Sequence, residues 1–179
     1  MHLDADLATA LQAQGHHLDP PWHVNRLLMT GAGRAAIRQA HESSIRAGAT
    51  VIRTATTHCA HRHLLSLGLA PGSGTAWMVH AAAGIAQAAA HPDTRVAGLV
   101  TPGDPEDHEW LVTELCRTGV DLILAQDMPS TDEALTIVKA TKDRPVWVSL
   151  RHGSDEEAER TIRAHGAHVI PATGSPDPR

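Results

Sequence analysis

The chain has 179 residues, 42% of them hydrophobic, which favours a single domain with its own buried core. Its formal net charge of −5 disfavours nucleic acid or an acidic membrane surface as the main partner. Two cysteines are too few for a disulfide framework, and no apolar run approaches the roughly 20 residues that span a bilayer. The acidic start of the chain is unlike a signal peptide, so we expect a cytoplasmic protein.

Short apolar segments alternate along the chain with longer segments of helical periodicity. Most helical segments end at glycine or proline, which commonly close helices, and the apolar segments are short enough for buried strands. In chain order we predict a short segment at 3–6, a helix at 7–12, an apolar segment at 22–29, a helix at 35–47, a strand at 50–54, a helix at 75–91, a strand at 96–100, a helix at 106–118, a strand at 121–125, a helix at 130–141, a strand at 146–150, a helix at 155–165 and a strand at 168–170.

One unit of helix, glycine and strand recurs three times, as RAGATVIRT, RTGVDLILA and RAHGAHVIP. Strands that alternate with helices at this spacing indicate βα units around a parallel sheet. No change in composition marks a boundary between domains. We therefore predict one domain over residues 1–173, followed by a C-terminal tail at 174–179.

Four potential metal ligands follow the strand at 50–54, namely His58, Cys59, His61 and His63. Imidazole suits several divalent metals, and a loop after a strand is a common place for a site. The spacing H-C-x-H-x-H is not an established zinc signature, and 14 histidines can cluster by chance. Two interpretations remain: His58, His61 and His63 bind a divalent metal, or they are solvated loop residues and helix caps.

Acidic residues near other strand ends offer a second candidate site. Asp4, Asp6 and Asp127 could converge at one edge of the sheet, where carboxylates bind a cation or act as a general base. Alternatively, Asp6 or Asp127 caps the N-terminus of a helix. Cys59 beside His58 suggests a nucleophile and base, but neighbours at a strand end point in opposite directions.

Five segments match, in the same order, the motifs of one known family. The opening LDADLATALQAQGHHLDPPWHVNRLL is similar to LDGG-LAT-ELE-x-x-G followed by P-LWSA-x-LL. The next segment, IRQAHESSIRAGATVIRTAT, resembles I-x-x-x-H-x-x-Y-x-x-AGA-D-VITTNT, and VAGLVTPGD resembles VAGS-x-GP. Further along, GVDLILAQDMPSTDEA resembles GADLLALETIPS-x-x-EA, and PVWVSL resembles P-x-WVSF. These motifs, which cover nearly the whole chain, resemble those of the homocysteine S-methyltransferase family.

The resemblance implies a (β/α)8 barrel that transfers a methyl group to the thiol of homocysteine, which zinc holds as thiolate. It also implies three cysteine ligands, one in a G-x-N-C motif after the sixth strand and a pair after the eighth. This chain has HVIPATG at the sixth strand, with Gly174 or a neighbour at the first cysteine, and it ends before strands seven and eight. We therefore expect an α/β fold with a truncated TIM-barrel-like (βα)6 parallel sheet and without the family zinc site. Any metal would then be a divalent ion on histidine or aspartate.

The same resemblance defines a predicted site. Matching LAQDMPS to LALETIPS places Gln126 at the glutamate that resembles the family's amino-group anchor, and Asp127 at its threonine. An acidic Asp6 replaces one glycine of the opening motif, which changes the shape and charge of the pocket. The predicted catalytic residues are Asp4, His58 and Asp127, and the predicted substrate-binding residues are Asp6, Thr56, Gln126 and Ser149.

Two functional interpretations follow. The first is an enzyme related to the methyltransferases that acts on a small amino-acid-like or sulfur-containing substrate; polar and ionisable replacements in the pocket favour it narrowly. The second is a non-catalytic or partner-dependent subunit that uses its open sheet edges for assembly. Six βα units leave two bare edges, and exposed edges pair readily with another chain. We therefore expect a homodimer or a partner chain at these edges, unless the protein's own loops cover them.

Overall fold

The computed structural model describes residues 2–152 and 155–172 and shows an α/β fold built on a five-stranded parallel sheet. The strands lie in the order β1-β2-β3-β4-β5. The elements are α1 (Leu7–Ala13), α2 (Asn25–Leu28), α3 (Gly31–Arg46), β1 (Val51–Arg53), α4 (His61–Ser66), α5 (Ser73–Ala89), β2 (Arg95–Val100), α6 (Pro105–Thr118), β3 (Leu122–Met128), α7 (Thr131–Ala140), β4 (Val146–Leu150), α8 (Glu156–Ala164) and β5 (His168–Val169). The predicted alternation of helices and strands around a parallel sheet is confirmed.

Several helices begin at a side chain that accepts a hydrogen bond from the first turn, as N-caps do. The Thr30 hydroxyl accepts from the backbone N of Gly33 at the start of α3. Ser130 and Asp155 cap α7 and α8 in the same way. At the other end, Gly119 closes α6 with φ of 80°, a left-handed conformation that glycine adopts without a steric penalty. The boundaries of these helices therefore follow from local chemistry.

The predicted first strand is the one element of the sheet that is much reduced. Leu3 forms an isolated parallel bridge with Val51, and the backbone N of Asp4 donates to the Val51 carbonyl at 3.0 Å. The chain then leaves the sheet, because the Asp6 carboxylate caps α1 and the helix starts at Leu7. Of the six predicted strands, five are formed, and the first contributes a single bridge beside β1.

Alternating residues of the strands face two separate apolar cores. The larger core lies between the sheet and the helices. The smaller one lies on the other face of the sheet, which we call the inner face. It contains Val51, Ala97, Leu99, Leu122, Leu124 and Ile170, with Leu3 and Trp147 packed against it. Continuing this alternation toward the C-terminal ends of the strands places Arg53, Gln126 and Ser149 on the inner face as well.

Two local predictions differ from the structure. The segment with His61 and His63, predicted as loop, begins the short helix α4, which is anchored by the fully buried Leu64. Strand β3 extends to Met128, three residues beyond its predicted end, through an irregularity in its pairing with β4. The tail at 174–179 and the position of the expected first family cysteine, near Gly174, lie outside the described residues. Within the described ranges, no helix combines the length and the apolar character that crossing a membrane requires.

Candidate functional site

Five polar side chains at the C-terminal ends of the strands form one connected hydrogen-bonded set, which we call the strand-end network. Its members come from the first bridge segment and from β1, β3 and β4, and they are Asp4, Arg53, Gln126, Asp127 and Ser149. Parallel strands bring their carboxyl ends to one edge of a sheet, where α/β folds place their sites. The fold therefore assembles residues that are far apart in sequence at the expected edge.

The centre of the network is a buried ion pair between Arg53 and Asp4. Arg53 Nε donates to Asp4 Oδ1 at 2.7 Å, and a second guanidinium nitrogen donates to the Asp4 carbonyl at 2.7 Å. The backbone N of Arg53 donates to Asp4 Oδ2 at 3.2 Å. The two side chains are only 8% and 1% exposed. Burial raises the pKa of Asp4, and the Arg53 charge opposes that rise only in part, so desolvation outweighs the attraction within the pair.

Arg53 also connects this pair to the end of β3. Its remaining terminal nitrogen donates to Gln126 Oε1 at 2.8 Å, and Gln126 Nε2 donates to Asp127 Oδ2 at 3.1 Å. The backbone N of Asp127 donates to Ser149 Oγ at 2.8 Å, and that hydroxyl lies 3.4 Å from Asp127 Oδ1. The amide of Gln126 is thus oriented from both sides, with its oxygen toward the cation and its nitrogen toward the carboxylate.

A bulge at the end of β3 makes the second half of the network possible. Ala125 pairs with Val148, but the next pair is Met128 with Leu150, so β3 has an extra residue over this interval. Asp127 takes φ of 54°, one of two positive φ values at described non-glycine residues. β-Bulges bend a strand and redirect side chains, often beside active sites. Here the bulge allows the side chains of the consecutive residues Gln126 and Asp127 to hydrogen-bond to each other.

Two threonines below the network are engaged in structural bonds. The hydroxyls of Thr54 and Thr56 lie 2.8 Å apart, and Thr56 donates to the Leu99 carbonyl at 2.7 Å. The backbone N of Leu99 donates to Thr54 Oγ1 at 3.0 Å. Both threonines are buried, so these bonds join the ends of β1 and β2 beneath the site. The predicted role of Thr56 in substrate binding stays a prediction.

Asp6, which the sequence places in the substrate pocket or at a helix cap, is at a helix cap in the structure. Its Oδ2 accepts from both the backbone N and the hydroxyl of Thr9 at 2.8 Å, and the residue is exposed. The structure thus brings Asp4, Gln126, Asp127 and Ser149 together and leaves Asp6 outside their hydrogen-bonded set.

Three histidines after β1, together with His23 from the segment before α2, form a separate group of rings, which we call the histidine cluster: His23, His58, His61 and His63. The rings of His58 and His23 stack with centroids 3.9 Å apart, and the His63 ring lies 6.1 Å from His58. Burial, and then the charges of His23 and His63, lower the pKa of His58 to about 4. His61 stacks instead on Trp110, at 4.6 Å. His58 and His61 therefore stack on neighbouring rings, and the His63 ring is tilted by 53° relative to His58. His58 is not among the five members of the strand-end network.

The predicted metal ligands are therefore divided: His58 stacks on His23 with His63 nearby, and His61 stacks on Trp110. Throughout residues 2–152 and 155–172, no group of three or more histidine, cysteine or acidic residues is arranged to hold a metal ion. The metal site proposed from the sequence stays a prediction that this geometry does not support.

Neither cysteine is placed as a reactive thiolate. Cys59 is fully buried, and its sulfur lies 3.5 Å from Asn25 Oδ1 rather than beside the ring of His58. Burial raises the pKa of the Cys59 thiol to about 12, so this group is a thiol at neutral pH. Burial also raises the pKa of Cys116, which lies in α6. Cys59 serves to hold Asn25, whose amide in turn donates to the His58 carbonyl at 2.7 Å.

Arg53 is the member of the site that the sequence motifs do not predict. The segment VIRT stands where the family motif has VITT, so a cation replaces a neutral residue in an otherwise apolar strand. Strand alternation from the inward-facing Val51 would have placed Arg53 on the inner face. Strand alternation and the apolar character of the strand together were therefore the signal that could have identified Arg53.

Two surface cavities lie elsewhere and share no residue with the network. Their volumes are about 510 and 430 Å³, and both border helix α6, where Thr113 and Arg117 line each of them. They open on the helical side of the domain, away from the strand ends. The concentration of polar groups therefore identifies the candidate site better than cavity volume does.

Comparison with known proteins agrees with this architecture. The homocysteine methyltransferase MmuM of Escherichia coli, in its metallated form, superposes with a TM-score of 0.80 at 19% sequence identity, covering 96% of this chain and 73% of that chain. Its oxidised form gives a TM-score of 0.79 at 20% identity, covering 96% and 72%. At this identity the likeness shows the fold, which corresponds to a large part of a TIM-type barrel. No curated protein sequence is detectably similar to this chain.

The family model described as homocysteine S-methyltransferase matches residues 1–172, nearly the whole chain. This match agrees with the order of motifs in the sequence and with the parallel sheet of the structure. The chain therefore belongs to the homocysteine S-methyltransferase family.

Proposed function

We propose that the protein is an enzyme of this family that binds a small amino-acid-like or sulfur-containing substrate at the strand-end network. The observation that carries this proposal is the unbroken hydrogen-bonded path from Asp4 through Arg53 and Gln126 to Asp127 and Ser149. A polar network of this kind on the inner face of a sheet is costly to bury unless its groups are paired. Its position at the carboxyl edge is where a substrate would reach it.

The members of the network suit different roles in this proposal. Asp4 is bonded to Arg53 through both carboxylate oxygens, so we assign it a positioning role rather than direct contact with substrate. Asp127 is partly exposed and supplies the carboxylate that meets the substrate or accepts its proton. Gln126 and Ser149 add hydrogen-bonding groups of fixed orientation beside it.

We further propose that this chain works without the three-cysteine zinc site that the family resemblance implies. The sequence contains two cysteines, and the thiol of Cys59 stays protonated at neutral pH because its pKa is raised to about 12. A cysteine that binds zinc does so as the thiolate. The residues of this chain do not fit such a site, and no step of the proposed function depends on it. Two unpaired cysteines also suit a reducing cytoplasm, where we place the protein.

A second candidate function is that of a partner-dependent subunit. Within the described residues, β5 pairs with β4 on one side, and its other edge carries no strand. Such an edge presents unpaired backbone groups to another chain. A homodimer or a partner protein that covers this edge would be compatible with either function. Sedimentation velocity that gives a monomer at micromolar concentration would rule out the homodimer.

A thermal-shift screen with elemental analysis tests the enzymatic proposal. We expect homocysteine, methionine or an S-adenosyl compound to raise Tm by roughly 5 °C or more at a hundredfold excess over Kd. The Gln126→Ala variant should lose this shift, because Gln126 connects the two halves of the network. Gln12→Ala, an exposed position on α1, is the matched control and should keep it. No shift with any of these compounds would favour the second candidate.

A further inference from the structure

Helix α6 borders two surface cavities of opposite charge. The cavity of about 430 Å³ is lined by three glutamates and a single cation, Arg117. The cavity of about 510 Å³ lies between α6 and the segment that follows α7, and we call it the α6–α7 cavity. Its lining has three cations, Arg117, Lys142 and Arg144, against one carboxylate, Asp143. The whole chain carries a net charge of −5, so this concentration of cations is a local exception.

Two of these cations belong to the short segment between α7 and β4, which is anchored at both ends. The backbone N and the hydroxyl of Thr141 both donate to a carbonyl in the last turn of α7, at 3.1 and 2.9 Å. The Pro145 carbonyl accepts from a backbone N of β3 at 2.9 Å. Between these anchors, Lys142 and Arg144 are exposed, and their side chains form no hydrogen bond or ion pair with any described residue. Both cations are therefore available to a ligand at a defined place on the surface.

The third cation, Arg117, is held from α6 by a buried carboxylate. Its Nη1 donates to Glu114 Oε1, and the other Glu114 oxygen lies 3.0 Å from His80 Nε2. The side chain of Glu114 is 7% exposed, whereas that of Arg117 is 64% exposed. A guanidinium has five N–H donors in one plane, so this bond orients the group and leaves donors for a ligand. With the Glu114 charge counted, the cavity still has a net charge of +1.

We propose that the α6–α7 cavity is a second binding site, which takes a small organic molecule through a phosphate group. A phosphate monoester carries a charge of about −1.5 to −2 at pH 7 and has three acceptor oxygens, which guanidinium and ammonium groups bind strongly. Cys116 and Ala140, both half-buried, line the same cavity and offer apolar contact to the rest of the molecule. Its volume falls within the roughly 300–1,000 Å³ of small-molecule sites. The cavity shares no residue with the strand-end network, so the inference is independent of the proposed function.

Calorimetric titration of the full chain at about 50 mM salt tests the inference, with phenyl phosphate, inorganic phosphate and phenol as probes. Phenyl phosphate should bind saturably with Kd below about 1 mM, and at least roughly threefold more tightly than inorganic phosphate, because its ring adds apolar contact. The double variant Lys142→Gln with Arg144→Gln should weaken this binding at least roughly tenfold. Arg160→Gln removes the charge of an exposed arginine on α8 and is the matched control, with Kd expected within about twofold of wild type.

Two further variants test the sign of the charge effect and the independence of the site. Asp143→Asn removes the opposing carboxylate and should tighten binding of phenyl phosphate roughly twofold or more. Gln126→Ala, in the strand-end network, should leave it unchanged. Absence of saturable binding by wild type would overturn the inference, as would equal Kd values for the double variant and Arg160→Gln. Phenol that binds as tightly as phenyl phosphate would overturn the phosphate contact. None of these outcomes bears on the proposed function, which rests on other residues.

Discussion

Two groups of polar residues, the strand-end network and the histidine cluster, differ in how they are built. The strand-end network joins residues up to 73 positions apart, each bonded to the next. The histidine cluster draws most of its members from six consecutive positions, and its rings stack rather than hydrogen-bond to one another. Sheet geometry, and not density of reactive residues in the sequence, decides which group becomes a connected site.

Breaking the network at its centre should have the largest effect. Arg53→Ala leaves the buried carboxylate of Asp4 without its cation, which typically costs about 3–5 kcal/mol in the free energy of unfolding. Urea denaturation measures this loss. Arg38→Ala, which removes an exposed pair with Glu42 at i,i+4 spacing, is the control and should cost less than about 0.5 kcal/mol. A loss at Arg53 no larger than that at Arg38 would contradict the importance of the network.

The double variant Asp4→Leu with Arg53→Met sharpens the same point. A hydrophobic replacement of a buried ion pair is often neutral or stabilising, because desolvation of both charges is avoided. Since burial outweighs the attraction to Arg53 in setting the pKa of Asp4, we expect the double variant to recover most of the stability lost in Arg53→Ala. It should not recover ligand binding. Recovered stability without recovered ligand binding would show that the Asp4–Arg53 pair serves binding rather than stability.

His41 on α3 should give the next largest effect, and it depends on pH. The residue is fully buried, and burial, with a smaller contribution from the charge of Arg53, lowers its pKa from 6.5 to about 4. Between these values the unfolded chain binds a proton that the folded chain excludes, so stability falls as the pH drops from about 6.5 to 4. The shift corresponds to a loss of about 3 kcal/mol over that window.

His41→Leu removes this titration and tests its size. Neither ring nitrogen of His41 has a hydrogen-bond partner among the described residues, so leucine should be tolerated at neutral pH. Denaturation series at pH 7, 5.5 and 4 should show a flatter pH dependence for the variant than for wild type. Identical slopes for both proteins would show that His41 is hydrated or protonated in the folded state.

The sequence predicts the fold better than it predicts the site. Apolar strands that follow a helix-closing glycine are visible as local patterns, and the order of family motifs places Asp4, Gln126, Asp127 and Ser149 at strand ends. Arg53 was missed because a cation inside an apolar strand suggests an exposed position until its partner across the sheet is known. The bulge at Asp127 was also missed, since neither glycine nor asparagine marks its left-handed backbone.

The positions of the rings in the histidine cluster could not be predicted from the sequence for a related reason. Sequence spacing placed three imidazoles in one loop. The short helix α4 could not be recognised there, because its N-cap residue, Ala60, has no side chain that could accept a capping hydrogen bond. That helix turns His61 toward Trp110 on α6, while His58 stacks on His23 from the segment before α2. Contacts with distant elements therefore separate ligands that are neighbours in sequence.

The smallest effect is expected at His61. Its ring stacks on Trp110 at an angle of 16°, and its buried Nε2 has no hydrogen-bond partner among the described residues. His61→Phe keeps an aromatic ring on Trp110 and removes the unpaired nitrogen, so we expect a change within about 1 kcal/mol, in the stabilising direction. Thermal unfolding with and without zinc measures both properties. Because the stacked rings do not converge on one point, zinc should shift the Tm of wild type and variant equally. A zinc-dependent stabilisation of wild type that His61→Phe abolishes would mean that the cluster rearranges into a metal site, and the contrast with the strand-end network would then no longer hold.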